Sequence, residues 1–309
     1  MEKLGFDYAL LPEFGNTRDI NALAATAAEA TKSMKIGLFS VPYIKHPLIL
    51  TTAVTTLDEI SNGRAFAVLG LGGFNTLTSL GIKTWEHPLA TLRESLIIMK
   101  DLLNGRSSSF DGEMFSPKGV KLSFTANKDI PIFLAAMSGE KILNLAGSAA
   151  DGVLLAGPYG EYTEEIIGKV KNAARAAGRD PEKVKVAMDI VYLCYEDGEE
   201  AVETIKPFIA KEILLDPRLR PAADAEGVNV EELQQAIKRG KTGADLITDE
   251  IVDAFAVAGN PEDCIRGFKR LEKQGVDIGF PYDPWALVPL EPLPTKLNFL
   301  GKHIIPAFK

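Results

Sequence analysis

Seven runs of nearly unbroken apolar residues, alternating with longer amphipathic stretches, constrain this chain more than any other feature of its sequence. The runs are FDYALLP, MKIGLFSV, AFAVLGL, IPIFLAA, GVLLAG, VKVAMDIVYL and VDIGFPY. A strand with one wet face alternates apolar and polar residues, whereas a strand covered on both faces does not. The runs therefore predict a parallel sheet with helices outside it. Among the intervening stretches, HPLATLRESLIIMKDLL sets Leu89, Leu92, Leu96, Met99 and Leu103 at three- and four-residue steps behind Pro88, the pattern of a helix with one apolar stripe.

The chain enters this rhythm partway through a unit. MEKLGFDYALLP reads as a last helical turn, its glycine cap and a strand. LEKQGVDIGFPY repeats Glu-Lys-x-Gly-x-Asp in register, but there the amphipathic stretch NPEDCIRGFKRL comes first. Seven strands and one helix tail predict an α/β (β/α)8 barrel that lacks its first strand and most of its first helix. The alternative, a doubly wound open sheet, usually carries a glycine-rich nucleotide loop after its first strand, and PEFGNTRD is not such a loop. One domain over residues 1–309 is expected. It carries a hairpin-like insertion at about 107–127, with turns at Asp111-Gly112 and Pro117 to Gly119, and a charged helical excursion at about 205–259 with no strand pattern. Two unpaired edges flank the gap, so a homo-oligomer or an N-terminal contact is expected to fill it.

With 309 residues, 46% of them hydrophobic, the chain can bury a large core. A net charge of -8 with scattered Lys and Arg argues against nucleic-acid binding, which needs a basic face. No apolar run reaches the roughly 18 residues of a membrane span, and the start lacks a secretory pattern. Cys194 and Cys264 sit in apolar-periodic segments and read as buried free thiols, which predicts a reducing cytoplasmic setting. His46, His87 and His303 fall in different segments, so no metal site can be assembled from their spacing.

In a barrel of this kind the site lies at the C-terminal ends of the strands. Those ends read Pro12-Glu13-Phe14, Phe39-Ser40-Val41, Gly70 to Gly73, Ala136 to Gly139, Ala156 to Tyr159 and Phe280 to Tyr282. Such small residues leave room for a broad flat ligand and let backbone N–H groups approach it. GLGGFN, Gly70 to Asn75, is either a ligand loop or ordinary strand closure. AAMSGEKIL carries a strand into a helix near Ser138, Gly139 and Glu140, which is either an anion site or a Ser N-cap. Glu13 is the clearest candidate acid, or else a solvated charge or a partner of Arg18. The facing of Asp189 within its strand is open, and Tyr159, Tyr162 and Tyr282 either wall a pocket or pack. No serine or cysteine has a histidine base in reach, so a nucleophilic triad is disfavoured.

Three stretches carry a family resemblance: PYIKHPLILTTAVTTLDEISNGRAFAVLGLGG, SFDGEMFSPKGVKLSF and IPIFLAAMSGEKILNLAGSAADGVLLAG. They resemble the luciferase-like flavin and deazaflavin oxidoreductases, with TLDEISNGR as the most specific piece. VDAFAVAGNPEDCIRGFKRLEKQGVD is most similar to the methylenetetrahydromethanopterin reductase branch, which uses coenzyme F420. The resemblance implies a (β/α)8 barrel with the deazaflavin across the strand ends. It implies a phosphate held near Gly72, Gly73, Ser138 and Gly139, with Gly70, Ala136, Met137, Ala156 and Gly157 around the cofactor. It also implies a non-prolyl cis peptide at Phe39, Ser40 and Val41 behind the ring, Glu13 as the catalytic acid, and hydride transfer to or from a pterin-like one-carbon carrier. An FMN-dependent monooxygenase and a non-catalytic flavin or deazaflavin binder are the alternatives. Three positions differ from the family pattern. Phe14 stands where many members have His, Gly73 stands where relatives place a carboxylate, and the first-strand acid has no counterpart.

Overall fold

The computed structural model describes residues 1–13, 18–83, 86–283 and 293–309. Its strands are β1 (Tyr8–Pro12), β2 (Lys35–Ser40), β3 (Ala65–Leu69), β4 (Ile132–Ala136), β5 (Gly152–Gly157), β6 (Lys185–Cys194), β7 (Val257–Gly259) and β8 (Ile278–Tyr282). The helices between the first five strands are α1 (Ile20–Ala30), α2 (Pro47–Ser61), α3 (Phe74–Ser79), α4 (Pro88–Leu103) and α5 (Glu140–Ala149). After β5 come α6 (Tyr162–Ala176), α7 (Gly198–Phe208), α8 (Arg220–Ala225), α9 (Val230–Lys238), α10 (Asp249–Phe255), α11 (Pro261–Lys273) and α12 (Leu293–His303).

All pairings between these strands are parallel. β1 to β6 pair in chain order, and β8 joins β6 through Ala187–Ile278 to Val191–Tyr282. The seven apolar runs thus form a curled barrel wall, and no described pairing joins β1 to β8. β7 is a correction to the strandless reading of residues 205–259. These three residues pair with the tip of the ten-residue β6, at Tyr192 to Cys194, beyond the stretch Ala187 to Val191 that β8 joins. Three residues are too few to show alternation in a sequence.

The wall separates two packed layers. Phe66, Val68, Phe133, Leu154 and Ala187 fill the interior together with Tyr8, Leu10, Phe39, Ile278 and Phe280. A much larger core lies between the outer strand faces and the helices. Glycines within strands make room for interior rings. A Cβ at Gly37 would lie 2.2 Å from the Phe66 ring, and one at Gly152 2.3 Å from the Phe133 ring. The Phe66 ring in turn touches Tyr8, Phe133 and Phe280 with centroids 5.8, 5.9 and 6.4 Å away, the edge and offset contacts that aromatic clusters favour.

The strands are pinned at their N-terminal ends by carboxylates that accept backbone N–H groups. Asp151 takes Ile132 at 3.0 Å, Asp277 takes Val186 at 2.8 Å, Asp58 takes Ala65 at 3.2 Å and Glu2 takes Met34 at 3.0 Å. The repeated Glu-Lys-x-Gly-x-Asp pattern gains a structural meaning here. Glu2–Leu4 is one 3-10 turn closed by Gly5 at φ 88°, as Gly275 at φ 102° follows α11. Asp277, before β8, pins the neighbouring β6. Asp7, before β1, faces the gap side of the wall and takes the Lys309 ammonium at 2.8 Å instead. A cavity of about 330 Å³ lies at this gap. Its walls are Phe6 and Tyr8, Ile278 and Gly279, Leu271 of α11, and Leu300, Ile304 and Phe308 near the chain's end.

The segment 107–127 is closed by a two-way antiparallel bridge between Ser108 and Val120, at 2.9 and 3.1 Å. It is held to α4 by Glu94, whose buried carboxylate accepts the N–H groups of Glu113, Met114 and Phe115 at 2.8 to 3.0 Å. Burial raises the Glu94 pKa, and these donors outweigh it, so the acid lies below its ordinary value.

Candidate active site at the strand ends

The ends of β1, β2 and β3 come together through backbone bonds. Glu13 N–H donates to Phe39 O at 3.0 Å, and Gly70 N–H donates to Ser40 O at 3.0 Å, so the strand ladder continues one residue past each strand. The Phe39 ring lies over Gly70, where a Cβ would meet it at 2.4 Å, and Val41 lies 3.2 Å from the same point on Gly72. The expected cis peptide at Phe39, Ser40 and Val41 is absent, because the Phe39 and Ser40 carbonyls are both engaged in this trans ladder. Among the described residues the cis peptide is Gly157–Pro158.

Glu13 is buried and pairs with Lys45, not with Arg18. Lys45 arrives through a turn in which Val41 O accepts Ile44 N–H at 2.9 Å and Lys45 N–H at 3.2 Å. The other carboxylate oxygen, Oε2, is buried without a partner. A buried acceptor left open in this way is an open position for a donor, on a ligand or on water. Phe14 lies outside the described residues. Gly73 O accepts Leu77 N–H at 3.0 Å at the start of α3, and Gly72 has φ 75°, a conformation costly for any residue with a Cβ.

At the end of β4, Ala136 packs into the outer core, so only its backbone can face a ligand. Ser138 is not an N-cap. Its hydroxyl donates to Arg218 O in the 3-10 turn Pro217–Leu219, which ties the helical excursion to the barrel mouth. The N-cap of α5 is Gly139, with no side-chain cap, and a Cβ there would meet nothing within 4 Å. An uncapped helix start with open space before it presents unfilled N–H donors to an anion.

β5 and β6 contribute what sequence reasoning left unresolved. A Cβ at Gly157 would meet Met188 Sδ and the Tyr159 ring, each at 3.1 Å. Tyr159 is fully buried and its hydroxyl has no partner; the Ala156 amide approaches without closing a hydrogen bond. Burial, followed by the charge of Asp189, pushes the Tyr159 hydroxyl well above its ordinary pKa and raises Tyr282 as well. Asp189 sits level with Ala156 and Phe280. Lys45 was the functional neighbour missed from sequence. It lies in the PYIKHP stretch, but no periodicity links it to Glu13.

The glycine-lined ends of β3 and β4, an uncapped helix start and a buried half-free acid together fit a flat ligand with an anionic tail. Comparisons with known proteins show which family the chain resembles. A family model described as luciferase-like monooxygenase matches residues 1–277. The 5,10-methylenetetrahydromethanopterin reductase of Methanolobus tindarius is 33% identical over 98% of this chain and 93% of its own length. That of Archaeoglobus fulgidus is 31% identical over 100% of this chain and 93% of its own. The structure of the coenzyme F420-dependent tetrahydromethanopterin reductase from Methanopyrus kandleri superposes with a TM-score of 0.85 at 26% identity, over 100% of this chain and 93% of that one.

Proposed function

The chain belongs to the luciferase-like monooxygenase family, and we propose that it acts as a coenzyme F420-dependent reductase of the 5,10-methylenetetrahydromethanopterin type. The observation that carries this reading is the full-length likeness to the Methanolobus tindarius reductase, 33% identical over 98% of this chain. Bound F420 supplies a carbon centre that gives or takes a hydride, and the pterin-like one-carbon carrier is its partner.

The residues present fit that cofactor. Gly72, Gly73, Ser138 and Gly139 would hold its phosphate, because open backbone donors beside a helix start suit an anion. Phe39, Ser40 and Val41 would back the ring, with Gly70, Met137, Ala156, Gly157 and the Ala136 backbone beside it. Glu13 is the acid of the site. Its bond to Lys45 fixes one oxygen, and its free Oε2 orients the carrier or moves a proton at that atom. The walls exclude water and set the two reacting groups at close range, the kind of positioning that accounts for much of catalysis between two bound molecules. A homo-oligomer is part of this proposal, on account of the unpaired edges of β1 and β8. So is a cytoplasmic setting, on account of the free thiols Cys194 and Cys264.

The test follows oxidation of reduced F420 with 5,10-methylenetetrahydromethanopterin, comparing wild type with Glu13→Gln. Wild type is expected to turn over, and Glu13→Gln to lose about 10²-fold in turnover with F420 affinity within a few-fold. Absence of turnover by a wild type that binds F420 would reduce the protein to a binder.

A further inference from the structure

Asp189 is an acid that this reading does not yet use. Its neighbours Met188 and Ile190 are buried in the outer core, and Ala187 belongs to the interior cluster. The two-residue period of a strand therefore turns Asp189 inward, toward the barrel mouth. The residues of the interior cluster are aliphatic or aromatic. Among the described residues Asp189 has no hydrogen bond and no ion pair, although it is only half-buried.

The charged and titratable groups around the mouth are otherwise committed. Glu13 and Lys45 hold each other. Arg218, whose charge reaches Tyr159, is bound by Asp216 at 2.9 Å. Tyr159 after β5 and Tyr282 on β8 feel the Asp189 charge, and both phenols are kept neutral by burial. Among the described residues no cation pairs with Asp189, and burial lifts its pKa to about 7. The neutral acid can donate a hydrogen bond, and among the described residues nothing accepts it.

We infer that Asp189 is a second polar contact of the ligand site and donates a hydrogen bond from its carboxyl to a carbonyl or ring-nitrogen acceptor of the bound ring system. The inference rests on the reading above that a deazaflavin-type ring lies across the strand ends. Ligand binding then requires a proton on Asp189, and affinity falls as that proton is lost.

Calorimetric titration of F420 from about pH 6 to about pH 8.5 tests this in wild type, Asp189→Asn and Asp189→Leu. Wild-type affinity is expected to drop toward about tenfold per pH unit once Asp189 ionises. Asp189→Asn keeps an N–H donor and no charge, so it should lack that drop, with any titration of F420 itself common to both proteins. Asp189→Leu should bind about tenfold or more weakly than wild type near pH 6 and, like Asp189→Asn, lack the drop at higher pH. Carboxyl carbon NMR adds a readout of the group itself, which should titrate near neutrality in the free protein and higher in the complex. Identical pH dependence in wild type and Asp189→Asn, or wild-type affinity in Asp189→Leu near pH 6, would overturn the inference alone. Failure of wild type to bind F420 at every pH would overturn the proposed function and this inference with it.

Discussion

The two ends of the barrel treat their polar groups in opposite ways. At the N-terminal ends of the strands each carboxylate discussed above is satisfied: Glu2, Asp58, Asp151 and Asp277 each hold an amide at a strand's first residue or next to it. Arg64 is buried there and donates to Ser61 O, Met34 O, Ala28 O and Thr31 O, at 2.6 to 3.1 Å. At the C-terminal ends, among the described residues, Glu13 Oε2 and the Tyr159 hydroxyl are buried and unpartnered, and Asp189 has no partner. Saturated polar groups stabilise a fold, whereas open ones cost stability and persist where a ligand completes them. On the proposed reading the difference puts stability at one end and binding at the other, as the barrel architecture leads one to expect.

The comparison breaks most visibly at Arg64. Arg64→Met leaves four carbonyls without their charged donor and is expected to cost about 3–5 kcal/mol in guanidinium unfolding. F420 affinity of the folded variant should stay at the wild-type value, and a parallel loss of affinity would join the two ends.

Next in size is a pH effect of opposite sign at the two ends. Four backbone and side-chain donors hold the Glu2 pKa down to about 2, so its contribution is present above its ordinary pKa and is lost as pH falls toward 2. Asp189 is raised to about 7 by burial, so the unfolded chain gives up this proton first, and stability is lost as pH rises from about 4 to 7. Asp189→Asn should therefore match wild type near pH 4 and exceed it at pH 8 by as much as about 4 kcal/mol. Denaturant unfolding across that range, without ligand, checks it.

The smallest effect on stability is expected at Gly139, where an added side chain has room. Gly139→Val should change unfolding by less than about 0.5 kcal/mol and still abolish F420 binding by covering the uncapped start of α5. Gly72→Val is a poorer probe, because φ 75° and Leu77 Cδ1 at 3.0 Å would strain the fold as well.

The wall of the barrel was legible because buried parallel strands leave continuous apolar runs, and all seven runs became strands. The gap was legible because the sequence pattern before β8 recurs before β1 without its helix. β7 was hidden by its length, and the cis peptide placed at Phe39 to Val41 came from resemblance, with no local signal to support or oppose it. TLDEISNGR, the most specific piece of the resemblance, lies away from the proposed site. It folds into the end of α2, the left-handed Asn62 and the Arg64 clamp, all at the stability end, opposite the site. The Glu13–Lys45 pair and the facing of Asp189 needed three dimensions, because one joins residues 32 apart and the other depends on strand register.

Hydrogen exchange with and without F420 tests the division between the ends most directly. Added protection is expected at Gly70 to Gly73, Met137 to Glu140 and Ala156 to Tyr159, with none at Lys32 to Lys35 or Asn62 to Ala65. Protection at the pinned ends, or around the cavity between β1 and β8 in place of the strand ends, would contradict the account.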